Sequence, residues 1–241
     1  MKLRLLSLFA VLLFTAGVLI QLLFSSGVVW AELEASIYGT QVAAGSLNLN
    51  CPLMLSSSES GMVTAAITNI LDRSVPPVVI AEISKVGGMQ TLSQTLTLAP
   101  HETRIVRWSI NNSNVIFGRL ILVNVIQARY SDLDPHRGFC GILNLNLFNL
   151  TGNESLILIF ISGILFIVVG GILWARVHAP LDELADQTLK ACGGLAGVTT
   201  LAALTALPRW WGLTLFLDVF ALIMLSVIFT EFLLFPKATR S

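Results

Sequence analysis

Two runs of this chain, Leu5–Val29 and Leu156–Trp174, contain no formally charged residue. A helix needs about 20 apolar residues to cross a bilayer. Inside lipid each backbone N–H and C=O must be satisfied by the chain itself, which for a single segment means an α-helix. Two further segments complete the set. Ala191–Leu207 is weaker and rich in Gly, Ala and Thr, and Gly212–Phe235 is stopped by Pro236-Lys237. The expected spans are therefore residues 1–30, 156–175, 191–207 and 211–235. Composition agrees, with 12% charged residues and a mean hydropathy of +0.81. A soluble protein carries roughly 25% charge. The formal net charge of zero leaves no basic field for nucleic acid.

The first span reads either as an uncleaved signal anchor or as a cleaved signal peptide. Its run is long for a signal core, but Val29-Trp30-Ala31 offers small residues at the positions that direct cleavage. Either way, the segment after residue 30 lies on the far side of the membrane. Trp30 suits the interfacial aromatic belt. Lys2, Arg4, Arg176, Lys190, Lys237 and Arg240 all fall on one side if four spans exist, with only Arg209 in the short outer hairpin. This bias predicts a cell-membrane protein with cytoplasmic termini, a cytoplasmic loop at 176–190 and a cytoplasmic tail at 236–241. The loop is expected to hold one short helix after Pro180. Cys51 and Cys140 then lie in an oxidising compartment, which predicts a disulfide between them. Cys192 is expected to be a free thiol.

Between the first two spans the pattern changes. Residues 31–46 (AELEASIYGTQVAAGS) are unpatterned and read as a stalk. Residues 47–148 alternate apolar and polar in short runs. Leu47, Leu49, Cys51, Leu53 and Leu55 share one face, as do Val63, Ala65 and Ile67, and Val106, Trp108 and Ile110. Leu120–Tyr130 is apolar at nearly every position and reads as a strand buried on both faces. About seven strands at short spacing predict an extracytoplasmic, all-β antiparallel sandwich, joined to a bundle of about four transmembrane helices. NLTGNES, residues 149–155, reads as a polar hinge.

The phrase LTLAPHETRIVRWSI, Leu96–Ile110, resembles a turn and strand of bacterial immunoglobulin-like, adhesion-type β-sandwich domains. TAAITNILDRSVPP, Thr64–Pro77, is similar to the strand of those domains that ends in Asn before a Pro-bearing loop. The resemblance spans roughly Leu47–Leu147. It implies an immunoglobulin-like fold and a binding or spacer role, and carries over no functional residue. Trp108 departs from the antibody pattern, where the core Trp follows the first Cys closely. The cysteine pair is therefore expected to tie the first strand of the domain to the last.

Few residues could carry chemistry. Asp218 lies about two turns into the fourth span, where ionisable groups usually face protein or water. It could pair with Arg209, reach the headgroups, contact a partner subunit or serve as an ion or proton site. Glu231, one turn from the far end of that span, is expected to reach water. Gly193 and Gly197 form a G-x-x-x-G that lets helices approach closely, within the chain or between copies. Asp132, Asp134 and His136 alternate in a turn, which reads as a solvated turn rather than a metal site. His101 and His178 support no triad, and no phosphate loop or zinc spacing occurs. No cofactor is expected. These readings point to a non-enzymatic membrane protein that presents its β-domain for partner binding or scaffolding, with lipid and a protein partner or second copy around its helices. A transporter or channel component using Asp218 is the alternative, as is a sensor relaying through a cytoplasmic partner.

Overall fold

The computed structural model describes residues 2–38, 45–128, 134–180 and 183–230. The chain divides into a helical unit, Met1–Val29 with Ile157–Ser241, and a β-unit, Trp30–Leu156. The helices are α1 (Lys2–Tyr38), α2 (Gly152–Val177), α3 (Glu183–Ala206) and α4 (Trp211–Phe229). All four are long and apolar enough to cross a membrane. The strands are β1 (Gly45–Ser46), β2 (Leu49–Asn50), β3 (Met54–Leu55), β4 (Gly61–Thr68), β5 (Val78–Lys85), β6 (Gly88–Thr95), β7 (Thr103–Ile110), β8 (Leu120–Gln127) and β9 (His136–Asn144).

These strands form two sheets. The larger runs β1-β9-β8-β5-β6 with β3 also on β9, and the smaller runs β2-β4-β7. β1 and β3 both pair parallel to β9, so the larger sheet is mixed rather than antiparallel throughout. The alternating run Leu47–Leu55, expected as one strand, is split between the sheets. β2 pairs β4 in the smaller sheet and β3 pairs β9 in the larger. The crossing falls at Cys51-Pro52, where proline has no N–H for a ladder. The disulfide forms there as expected, joining Cys51 to Cys140 of the last strand with Cα atoms 6.6 Å apart.

Alternation decides the core. Val63, Ala65 and Ile67 of β4 and Val106, Trp108 and Ile110 of β7 share one cluster with Val79, Ala81 and Ile83 of β5. Ile121, Val123 and Val125 of β8, and Cys140 and Ile142 of β9, belong to it as well, with Leu55, Val75 and Leu98. β8 is buried at all of its positions, as its continuous apolar run predicts. Its second face is covered by the end of α1. Gly141, which pairs with Leu122, lies so close to the Ala31 backbone that a Cβ there would collide. Arg137 donates from Nη2 to the Ser36 carbonyl at 2.8 Å and from Nε to Asn124 Oδ1 at 2.8 Å. Asn124 in turn donates to Glu82 at 2.9 Å. Ser36 is in the last turn of α1, where carbonyls lack intrahelical partners and a cation is favourable.

Residues 31–38 are therefore helix and not stalk; residues 39–44 lie outside the described set. The small residues Ala31 and Ala35, one turn apart and both buried, let the helix lie against the sheet. The polar hinge is also helical from Gly152. Thr151 and Glu154 form a capping box, with Thr151 N–H donating to Glu154 at 2.9 Å and Glu154 N–H to Thr151 Oγ1 at 3.3 Å. α3 likewise starts at Glu183, ahead of the expected residue 191. Its first turns carry an exposed Lys190–Asp186 ion pair spaced i,i+4. Glu231, Lys237 and Arg240 lie outside the described residues.

The two phrases that carried the immunoglobulin-like resemblance meet at one end of the β-unit. Asn69, fully buried, takes the Arg73 and Ala99 carbonyls with its amide at 2.8 and 2.9 Å, while its N–H reaches the Glu102 carbonyl at 2.9 Å. One asparagine thus closes both turns, a structural role.

Candidate intramembrane polar site

In the helical unit, glycines set which faces meet. A Cβ on Gly17 of α1 would fall 2.7 Å from the Gly163 carbonyl of α2, and one on Gly170 would fall 2.6 Å from Phe14 N. α1 and α2 thus pack backbone to backbone, as small residues permit where lipid supplies no hydrophobic drive. Val18, Leu22, Ile167, Leu195 and Ala221 form the apolar centre of the unit.

The polar interruptions of α1 lie against this packing. Ser25 Oγ donates to Asp218 Oδ1 at 2.7 Å, and Ser26 Oγ to Oδ2 at 3.2 Å. Asp218 is only 5% exposed, so its carboxylate is covered by α1 and not turned to lipid. Hydroxyl donors suit such a group, because a buried carboxylate needs partners for its lone pairs. One turn below, Gln21 is fully buried and donates from Nε2 to the Phe160 carbonyl at 3.1 Å. Its Oε1 has no hydrogen-bond partner among the described residues. Gly163 makes the room, since a Cβ there would stand 2.6 Å from that amide. Thr205 of α3 and Thr214 of α4 share a 3.0 Å hydroxyl contact near the α3–α4 turn.

The sequence singled out Asp218 but not its partners. Ser25, Ser26 and Gln21 are polar interruptions clustered at residues 21–26 of the run Leu5–Val29, and that clustering is the signal the sequence offers. Arg209 takes a left-handed conformation, φ 61°, in the α3–α4 turn. Among the described residues, nothing lies within 4 Å of where a Cβ on Gly193 or Gly197 would be, so their packing does not use this G-x-x-x-G face. Leu201 and Leu204 continue that face of α3 and are exposed. A cavity of about 740 Å³ adjoins Gly193 and Cys192, lined by apolar residues including Phe14, Ile167 and Leu195. Cys192 is a free cysteine, as expected.

In the β-unit, His136 Nδ1 contacts the Asp134 carbonyl at 2.9 Å, and Asp132 lies outside the described residues. Among the described residues no three His, Cys, Asp or Glu side chains group as metal ligands. His101 meets Asp72 at 2.8 Å on the exposed surface, and His178 stacks on Trp174 with ring centroids 4.3 Å apart. The cluster joins the Asp218 carboxylate to two serine hydroxyls within helices long and apolar enough to cross a membrane.

No protein-family model matches the chain, and no curated protein matches it in sequence. Among solved structures, the chain bears a weak resemblance to the CARDB domain of the PF1109 protein from Pyrococcus furiosus. That match has 9% identity and a TM-score of 0.33, over 42% of this chain and 93% of that one. A β-glucosidase from Listeria innocua matches at 17% identity and TM-score 0.32, over 44% of this chain and 17% of its own. The β-glucosidase EmGH1 from Erythrobacter marinus matches at 13% and 0.33, over 42% and 15%. The chain thus spans less than a fifth of either β-glucosidase. At these TM-scores the likeness carries no argument.

Proposed function

We propose that this is a non-enzymatic integral membrane protein that presents an immunoglobulin-like β-sandwich outside the cell membrane. Its helices join a protein partner or a second copy, in the manner of an accessory subunit. The observation that carries this reading is the open Gly193–Gly197 face. The glycines at 17, 163 and 170 are all consumed by packing within the chain, whereas a Cβ on Gly193 or Gly197 would meet nothing among the described residues. A small-residue face is what a helix of another subunit can approach closely. Arg4, Arg176 and Lys190 support the orientation with the β-unit outside.

A second reading, a transporter or channel component, draws on Gln21 Oε1, which is buried without a partner among the described residues, one turn from the Ser25–Asp218 pair. The first reading is favoured because the Asp218 oxygens already accept from two serines of the same chain.

A photo-crosslinking amino acid at Leu201, on the open face of α3, tests the proposal in native membranes. The same group at Ile161 of α2, also exposed, is the comparison. The expected result is one discrete protein adduct from position 201 and none from position 161. Lipid adducts alone at both positions would count against a lateral protein contact.

A further inference from the structure

Both membrane-directed ends of the β-unit leave it at one pole. α1 runs along β9, with Ala31 against Gly141 and Ser36 against Arg137. It therefore enters from the Asn144 end of β9. α2 begins at Gly152, directly after the loop that trails β9. Three loops gather at that pole. Asn144 N–H donates to the Arg119 carbonyl at 2.7 Å, tying loop 111–119 to loop 145–151. Asn114 donates to the Ser84 carbonyl at 3.0 Å and Ser84 to the Asn114 carbonyl at 2.6 Å, tying loop 111–119 to the β5–β6 hairpin.

Each loop presents an apolar side chain outward. Phe148 is 86% exposed, Val86 79% and Phe117 60%. Phe117 and Phe148 both have φ of 51°, a left-handed backbone that bulky residues rarely adopt. Both rings are thus exposed on an unusual backbone. Lys85 and Arg119 flank them and are exposed. The carboxylates of this pole are already engaged. Glu59 accepts from Ser56 N–H and Gly152 N–H, and Glu154 from Thr151. The opposite pole carries Asp72, His101, Glu102 and Arg104.

We infer that Phe117, Phe148 and Val86 insert into the headgroup–acyl boundary of the bilayer that α1 and α2 cross, with Lys85 and Arg119 at the lipid phosphates. Aromatic rings belong at this depth, and basic side chains beside them meet the headgroups. The inference rests on reading α1 and α2 as spans.

The test places spin labels on the full chain in lipid nanodiscs, using Phe117→Cys, Phe148→Cys, Ile70→Cys and Ile157→Cys in a Cys192→Ser background. Ile70 is an exposed apolar residue at the far pole, and Ile157 lies within α2. Phe117, Phe148 and Ile70 are outside the core, so these changes leave packing intact. The expected result is a severalfold rise in oxygen collisions over those of a water-soluble nickel chelate at 117 and 148, relative to 70. Aqueous values at 117 and 148 with a lipid value at 157 would overturn this inference alone. An aqueous value at 157 as well would overturn the span reading with it.

Discussion

The β-unit and the helical unit use the same aliphatic residues in opposite ways. In the β-unit, every second residue of β4, β5 and β7 turns inward, and the apolar side chains that result make one core. Water drives that burial, at about 25 cal/mol per Å² of apolar surface. In the helical unit, large apolar residues such as Leu158, Ile172, Phe216 and Leu222 stay uncovered, and the contacts between helices rest on Gly17, Gly163, Gly170 and the Ser25–Asp218 pair. Helices of this length and apolarity can span a membrane, and in lipid a leucine would gain little by moving inside, so small and polar residues would choose the packed face.

This contrast is broken most severely at the disulfide. Cys51→Ser with Cys140→Ser removes a cross-link spanning 89 residues. Loops of this length are worth about 4 kcal/mol. The expected outcome is a β-unit that becomes protease-sensitive at much lower denaturant, while helicity in detergent is unchanged. Equal loss of structure in both units would mean that they are not separately held.

A smaller effect is expected at the intramembrane pair. Ser25→Ala with Ser26→Ala strands the Asp218 carboxylate without its two donors. Leaving a buried acceptor unpaired costs about 1–3 kcal/mol. Adding Asp218→Leu to the double variant should restore the lost stability, read as the thermal midpoint of the helical signal in detergent. A triple variant no more stable than the double one would show that the carboxylate is not what the serines serve.

The smallest effect is confined to the β-unit surface. Glu102 has its carboxyl held below the ordinary carboxylate range, first by the Ala99 N–H and then by Arg104. An acid whose pKa is lowered by folding adds stability above its unfolded pKa and loses it as pH falls through the folded value. The 99–102 turn should therefore loosen only on acidification below that range. Hydrogen exchange at the Ala99 amide should show this acid step in the wild type and lose it in Glu102→Gln. An unchanged step in the variant would assign the titration elsewhere.

The same contrast explains what the sequence reveals. Period-two alternation around Trp108 and the buried run Leu120–Gln127 are visible because one face of each strand meets the core. The split of Leu47–Leu55 between two sheets is not visible, since both halves keep the same alternation. Two helix signals are present but short: the Thr151-x-x-Glu154 cap, and Ala31 with Ala35 one turn apart. The capping pair was obscured by the polar residues around it, the alanine pair by a segment without strong periodicity. In the spans, helices apolar on every side give no moment to read. Asp218 stands out, whereas its partners are ordinary serines until the fold brings them beside it.

The central claim is that the helical unit is completed by another helix at Gly193–Gly197. It is tested most directly by the mass of the protein extracted from native membranes in lipid nanodiscs, for the wild type and for Gly193→Leu with Gly197→Leu. The expected result is a defined assembly heavier than the 26.1 kDa chain for the wild type, collapsing to the single chain in the variant. A wild type that is itself a lone 26.1 kDa chain would contradict it.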